Sequence, residues 1–435
     1  MKFRKIYIIL ILILLFNSFI FSSNIYAGEN YVNLNIYSPS VLLMDAKSGK
    51  LLCEKNCNEK RYPASTTKMM TAILAVENCE LSDIATVSYN AISSLPAGYT
   101  TANLQLGEEL TIEQLLHVLL IPSANDAAIV LAEHIAGSTE SFATMMNTKA
   151  AELGCKNTHF TNPSGEHDED HYSTAYDLAL IGRYAMTKPV IKTIVSTTSY
   201  TLPATNKYDR VDRTFTTTND LIKYNSKARA DNYYYKYATG LKTGYTKYAK
   251  NCIVATAEKD GLEFIVVVLG AEQTENGLSA RALDCKTLFE YGFNTYTIQK
   301  IKEKNSILKE VEIQNGTKET KHLNALISED ISVMTKQSHT ELNLLPVISI
   351  DDNLKAPISK GQIIGNITYS VEDISYTTNL IAEHNVEVDN SFYFYFKIIL
   401  FLFVLFLLFM ILKPKKSKYR KKRINSNAMK VTRFR

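Results

Sequence analysis

The chain contains no Cys-x-x-Cys pair and no histidine–cysteine spacing suited to zinc, so neither a dithiol motif nor a zinc-ligand set can be read from it. It has no internal repeat and no low-complexity tract. A broad basic face is also missing. The net charge is only +4, and eight Lys or Arg fall within Lys413 to Arg423, which leaves the remainder near neutral or mildly acidic. A nucleic-acid partner is therefore not expected. The six cysteines are Cys53, Cys57, Cys79, Cys155, Cys252 and Cys285. The last four sit in or beside apolar-periodic segments and read as buried free thiols; Cys53 and Cys57 are close enough in sequence to pair locally.

What is present is an ordinary globular balance, 46% hydrophobic and 21% charged over 435 residues, with room for two or three domains. The two ends are different in kind. Lys2, Arg4 and Lys5 precede the apolar run Ile8 to Phe21, and Ile25-Tyr26-Ala27 before Gly28 offers a small residue at a cut site. Residues 1–27 thus read as an export signal, cleaved or kept as an anchor. Near the other end, Phe392 to Leu412 is apolar apart from Lys397, about the length that crosses a bilayer. Lys397 is near enough to the outer end to snorkel. Because the basic cluster follows directly and positive charge stays inside, residues 413–435 are expected to be cytoplasmic. Gly28 to Ser391 then face outward.

Between the ends, Ser40 to Met44 and Lys50 to Cys53 flank a turn-rich Asp45 to Gly49 and predict a β-hairpin. A helical pattern runs from Ser65 through Met69, Ile73 and Val76. Further helices are expected at Ile112 to Leu120, Ala127 to Ile135 and Ser141 to Leu153, and at Ala175 to Met186 opened by Ser173. Cys252 to Ala257 and Leu262 to Leu269 surround an Asp260-Gly261 turn, a strong hairpin signal. Arg281 to Phe289 reads as a closing helix. Hairpin, helices, hairpin, helix implies an α+β domain over residues 35–293: an antiparallel sheet with helices on its faces. From residue 296 to 385 the texture becomes short alternating runs such as Leu308 to Ile313, Ile331 to Met334 and Ile363 to Tyr369, as in a small all-β domain.

Three short motifs carry the chemistry. In Ser65-Thr66-Thr67-Lys68 the hydroxyl and the amine are three residues apart, on one face of a helix start. A serine hydroxyl needs a base to act as a nucleophile, and a buried lysine near another cation can become that base by losing its proton. The helix start favours developing negative charge. Ser123-Ala124-Asn125 places a hydroxyl and an amide in a turn between two helices. Lys242-Thr243-Gly244, followed by Tyr245, puts a cation and a hydroxyl on a strand, where they can hold a carboxylate; the glycine lets a substrate backbone approach the strand. Each motif alone is weak. Together and in this order they match the trio of penicillin-binding proteins and class A β-lactamases, with Ala124 where Asp is common.

The flanking segments Tyr62 to Thr71, Ser123 to Ala127, Asn162-Pro163-Ser164-Gly165, His171 to Asp177 and Leu241 to Thr246 resemble the low-molecular-mass, serine-type D-alanyl-D-alanine carboxypeptidases over about Ser40 to Phe293. Leu354 to Gln362 resembles the β domain that follows the catalytic domain in that family. The resemblance implies the following roles. Ser65 is the nucleophile and Lys68 its base. Ser123 relays a proton to the leaving D-alanine, and Asn125 holds the substrate amide and Lys68. Lys242 and Thr243 grip the terminal carboxylate, with Arg281 nearby. The oxyanion hole is formed by the backbone N–H groups of Ser65 and Tyr245. No cofactor and no metal are implied. The expected partners are stem peptides ending in D-Ala-D-Ala, β-lactams as inhibitors, and the membrane.

Two departures stand out. Glu166 to Asp170 replaces the usual Gly-Leu continuation after the Asn-Pro turn, and the three acids between His167 and His171 read as a solvated loop rather than a metal site. The chain also ends in a span where many relatives end in an amphipathic anchor. A β-lactamase needs a deacylating carboxylate, usually in Glu-x-x-Leu-Asn, and neither Glu152-Leu153 nor Glu166 supplies that pattern. A β-lactam sensor calls for a cytoplasmic partner domain, and little follows Leu412. Absence of a glycosyltransferase module favours trimming over transpeptidation.

Overall fold

The computed structural model of the chain describes residues 34–96, 98–224, 233–339, 342 and 344–413. The export signal and the basic cluster beyond Lys413 lie outside the described residues. The first hairpin is β1 (Ser40–Asp45) and β2 (Leu51–Lys55). Then come a 3-10 turn (Ala64–Thr67), α1 (Lys68–Asn78), β3 (Ile84–Thr86), α2 (Tyr89–Ser93), β4 (Glu109–Thr111), α3 (Ile112–Leu120), α4 (Asn125–Ala136), α5 (Thr139–Glu152), α6 (Ala175–Met186) and α7 (Pro189–Val195). After the short pair β5 (Ser199–Thr201) and β6 (Thr214–Thr216), the chain forms β7 (Ala238–Thr246), β8 (Lys250–Lys259), β9 (Leu262–Ala271) and α8 (Ala280–Thr295).

The main sheet is antiparallel in the order β2-β1-β9-β8-β7. Its strands are nearly continuous apolar runs because both faces are covered. Side chains alternate across a strand, so Leu42, Met44, Val254, Ile265, Val267 and Leu269 pack with Met69, Ile73 and Leu178 on one face. Val41, Leu43, Ile253, Phe264, Val266 and Val268 pack with Leu288, Phe289 and Phe293 of α8 on the other. Each such fully buried side chain contributes about 1.5–3 kcal/mol relative to exposure. The β8–β9 turn has φ of 51° at Asp260 and 81° at Gly261, the backbone of a tight hairpin.

Differences from the sequence reading are local. The helix cap of α6 is Thr174 rather than Ser173. Thr174 Oγ1 accepts the Asp177 N–H at 3.0 Å, while Ser173 Oγ lies 2.8 Å from Thr158 Oγ1. The nucleophile segment begins as a 3-10 turn and becomes α-helical only at Lys68. Helix α8 runs six residues beyond Phe289 to Thr295. The strands β3 to β6 have only three residues each, too few to show an alternation. All six cysteines are free thiols, and Cys57 donates to the Glu54 carboxylate.

Beyond β10 (Tyr296–Lys302) the strands are β11 (Ile307–Glu312), β12 (His322–Ile327), β13 (Ile331–Lys336), β14 (Val347–Ile350), β15 (Ile363–Val371) and β16 (Ile374–Ala382). Five of them form an antiparallel sheet ordered β11-β12-β16-β15-β14, and β10 pairs with β13. Leu323, Ala325 and Ile327 alternate inward along β12. Compactness divides the chain into two units. One holds the described residues up to Lys300 with Ser332–Leu344 and Ser370–Tyr376; the other holds Ile301–Ile331, Leu345–Tyr369 and the residues from Thr377 on. The last helix, α9 (Ser391–Leu412), reaches a mean hydropathy of 2.8 over an 18-residue stretch and has no buried side chain. It is apolar all round, as a helix surrounded by lipid would be.

Candidate active site

The nucleophile candidate sits in a strained turn. Ala64, just before Ser65, has φ 49°, a left-handed conformation that is costly for a residue with a Cβ. The turn is gripped from two sides. A Cβ added to Gly165 would lie 1.9 Å from the Ala64 carbonyl oxygen and 2.9 Å from the Ser65 nitrogen. One added to Gly244 would lie 2.9 Å from the same nitrogen. The space that Gly244 leaves open on β7 is thus filled by the Ser65 backbone and not, as the sequence suggested, left for a substrate backbone.

Lys68 is fully buried at the start of α1. Its Nζ lies 2.5 Å from Asn125 Oδ1, 2.6 Å from the Ser164 carbonyl and 2.9 Å from Ser65 Oγ. The first two partners can only accept, so they take two N–H groups. A neutral amine has just two to give and keeps a lone pair, which faces the Ser65 hydroxyl. Burial first, and then the Lys242 cation, hold the Lys68 amine well below the ordinary lysine range; Asp126 and Glu166 pull the other way.

The second wall is the junction of α3 and α4. Ser123 has φ 72°, again a left-handed residue other than glycine, and it lines the cleft. Asn125 opens α4 and donates its N–H to the Thr100 carbonyl at 2.8 Å. Asp126, also buried, accepts the N–H groups of Ala102 and Leu104 at 3.0 and 3.1 Å. That ties the segment after Thr100 to the start of α4. Burial raises the Asp126 carboxyl pKa, and these N–H donors oppose the shift.

The third wall is β7, an edge strand of the main sheet whose residues Thr243 to Thr246 line the cleft, the kind of edge an extended ligand can join. Lys242 is buried, with Nζ 2.9 Å from the Thr243 carbonyl. Burial, then the Arg281 cation, bring its pKa down to about 7. Thr243 Oγ1 meets Thr218 Oγ1 at 2.5 Å across the cleft, and Arg281 pairs with Asp220 at 3.3 Å. Ser65, Ser123, Asn125, Thr243, Gly244, Tyr245 and Arg281 all line one cleft of about 470 Å³. Lys68 and Lys242 lie behind it. A larger groove of about 900 Å³, lined among others by Arg61, Tyr62 and Tyr248, contains none of the motif side chains, so size does not locate the chemistry.

The loop after the Asn-Pro turn, whose conformation the sequence left open, is built around Asn162. Its Oδ1 accepts from the N–H of Gly165 at 2.8 Å and of Glu166 at 3.1 Å, and its Nδ2 donates to the Glu166 carbonyl at 3.0 Å. Thr71 Oγ1 donates to the Pro163 carbonyl at 2.6 Å, fixing the loop to α1. His171 is buried: its Nδ1 accepts the Thr161 N–H at 3.1 Å, and Nε2 faces Thr67 Oγ1 at 2.8 Å. His167 instead stacks on Tyr248 at 3.8 Å. The two histidines therefore face different surroundings. The roles of Asn162, Gly165, Asp126 and Thr218 were not read from the sequence. Asn162 and Gly165 carried a turn signal, whereas Thr218 carried none, since only folding brings it to β7.

A serine hydroxyl facing a proton-poor lysine, beside an open edge strand backed by cations, defines the class: a serine acyl-transfer enzyme for carboxylate-ended peptides. Residues 27–273 match the D-alanyl-D-alanine carboxypeptidase family and residues 296–388 match the penicillin-binding protein 5 C-terminal domain. The chain belongs to the D-alanyl-D-alanine carboxypeptidase family. It is 34% identical to the D-alanyl-D-alanine carboxypeptidase DacF of Bacillus subtilis, covering 78% of this chain and 83% of that one. It is 31% identical to DacC of Escherichia coli, over 85% and 89%. Among solved structures it is similar to PBP3, a peptidoglycan synthesis regulatory factor from Streptococcus pneumoniae, with TM-score 0.70 and 26% identity over 81% of this chain and 100% of that one. It is also similar to penicillin-binding protein 5 of Haemophilus influenzae, with TM-score 0.61 and 27% identity over 82% and 99%.

Proposed function

We propose that this serine-type D-alanyl-D-alanine carboxypeptidase removes the terminal D-alanine of peptidoglycan stem peptides through an acyl-enzyme on Ser65. The observation that carries the assignment is the hydrogen-bond count at Lys68. Two obligate acceptors use its two N–H groups and leave a lone pair for the Ser65 proton. Ser65 Oγ attacks the carbonyl between the last two residues as Lys68 takes its proton. The oxyanion is held by the N–H groups of Ser65 and Tyr245; one such donor contributes about 3–4 kcal/mol at the transition state. Ser123 passes the proton to the leaving D-alanine, and water then releases the shortened peptide. Asn125 holds the substrate amide. Lys242, Thr243 and Arg281 receive the terminal carboxylate, which β-lactams also carry, so the same groups support penicillin binding.

In this reading residues 35–293 are the catalytic domain and 296–385 the small β domain. Helix α9 spans the cell membrane, with the Ser65 domain outside and Lys413 to Arg423 inside. The sensor and β-lactamase readings gain no support from the family, whose matched members are carboxypeptidases. The test of Ser65 is direct. Purified protein should shorten a pentapeptide stem by one alanine and bind penicillin at a peptide containing Ser65. Ser65→Ala should do neither while keeping its thermal transition. Penicillin bound elsewhere, or retained by Ser65→Ala, would reject the assignment.

A further inference from the structure

The sequence offered no Glu-x-x-Leu-Asn pattern, yet a carboxylate stands in the cleft. Glu166 lines the same 470 Å³ cleft as Ser65, Ser123 and Asn125, and it supplies the only carboxylate among the described lining residues. Its position is tightly registered to the nucleophile. Gly165 is pressed against the Ala64–Ser65 peptide, and Asn162 holds the Glu166 backbone by both its N–H and its carbonyl. None of these contacts uses the carboxylate, so the loop does not need an acid here to fold. The carboxylate is half-buried, which costs free energy for a charged group. It also works against the first half of the reaction, because its charge favours a protonated Lys68. A charge that hinders acylation and does not stabilise the loop calls for a role in the second half.

We propose that Glu166 is the general base of deacylation, acting through a water held between its carboxylate and the Ser65 ester. This rests on Ser65 being the acylated residue. The water oxygen bonds to the acyl carbon as one of its protons passes to the Glu166 carboxylate, giving a tetrahedral oxyanion. Collapse of that intermediate breaks the Ser65 Oγ–C bond, and the proton passes from Glu166 to Oγ. The products are a free serine, an ionised Glu166 and a carboxylic acid, which gives its own proton to solvent; no further reactant is needed. Lys68 is poorly placed for this step, since its two N–H groups stay engaged with Asn125 and Ser164 and its lone pair faces Oγ. Burial raises the Glu166 carboxyl pKa above its ordinary value, and only a protonated Lys68 would oppose that. The base therefore loses its function on acidification earlier than an exposed glutamate would.

The test follows acyl-enzyme decay on the full-length protein in detergent by intact mass, after a pulse of benzylpenicillin and removal of excess. The wild type, Glu166→Gln and Glu166→Leu are compared across pH. The expected result is a penicilloyl adduct on all three, decaying on the order of 10²–10⁴-fold more slowly in both variants. The wild-type decay rate should fall as pH drops through the raised carboxyl range, and the variants should show no such limb. A merely structural role would not move that limb. Equal decay rates in the three proteins, or an acid limb that survives in Glu166→Gln, would overturn the proposal. Absence of any adduct on all three would instead overturn the Ser65 assignment.

Discussion

Replacing Gly165 by alanine should separate stability from catalysis. The new Cβ would lie 1.9 Å from the Ala64 carbonyl oxygen, where ordinary contact begins at 3.4 Å; the backbone beside the nucleophile must therefore move by about 1.5 Å. Misplacing a reacting group by about 1 Å costs on the order of 10²-fold in rate, so acylation by penicillin should slow by about two orders of magnitude or more. The stability loss combines the left-handed backbone, φ +81°, at ~1–2 kcal/mol with overpacking at ~1–3 kcal/mol. For a domain of this size that lowers Tm by roughly 5–15 °C. Gly154→Ala is the control. It has a similar φ of +84° but nothing within 4 Å, so it should lose only the backbone part, about 1–2 kcal/mol, and acylate normally. Stopped-flow fluorescence with a labelled penicillin gives the rates, and calorimetry gives Tm. If Gly165→Ala acylates within about threefold of the parent, the nucleophile turn is not held by close packing and the reasoning fails.

The pH dependence of carboxylate recognition should report Lys242. Its pKa is lowered to about 7, so the cation is fully present below that and is lost as pH rises through it. KM for a D-Ala-D-Ala peptide should climb several-fold from pH 6 to 9, and Lys242→Arg, which stays charged, should remove the climb; a flat wild-type profile would contradict the role. For topology, protease added to wall-stripped cells should digest the Ser65 domain and spare an epitope fused after Arg435. Loss of that epitope from sealed cells would refute a single outward-facing span at α9.

Much was legible before folding, for stated reasons. The apolar run Phe392 to Leu412 and its basic flank are local properties of the chain, and so is the turn between β8 and β9. The Ser65–Lys68 pair is legible too, because helical spacing alone brings residues three apart together. Longer-range facts needed the tertiary structure. The base proposed at Lys68 depends on its burial and on Lys242, far away in sequence, lying near it, while Asn125 and Ser164 take its hydrogens. Gly165 and Gly244 look like turn and strand glycines until Ser65 is packed between them. Glu166 was set aside in the sequence because it stands in no Glu-x-x-Leu-Asn segment; the docking of the Asn162 turn onto α1 put it in the cleft. Sequence by itself determined which groups were available and the local elements that carry them. Their protonation, their strain and their common cleft were decided by packing, since each depends on neighbours that only the closed fold supplies.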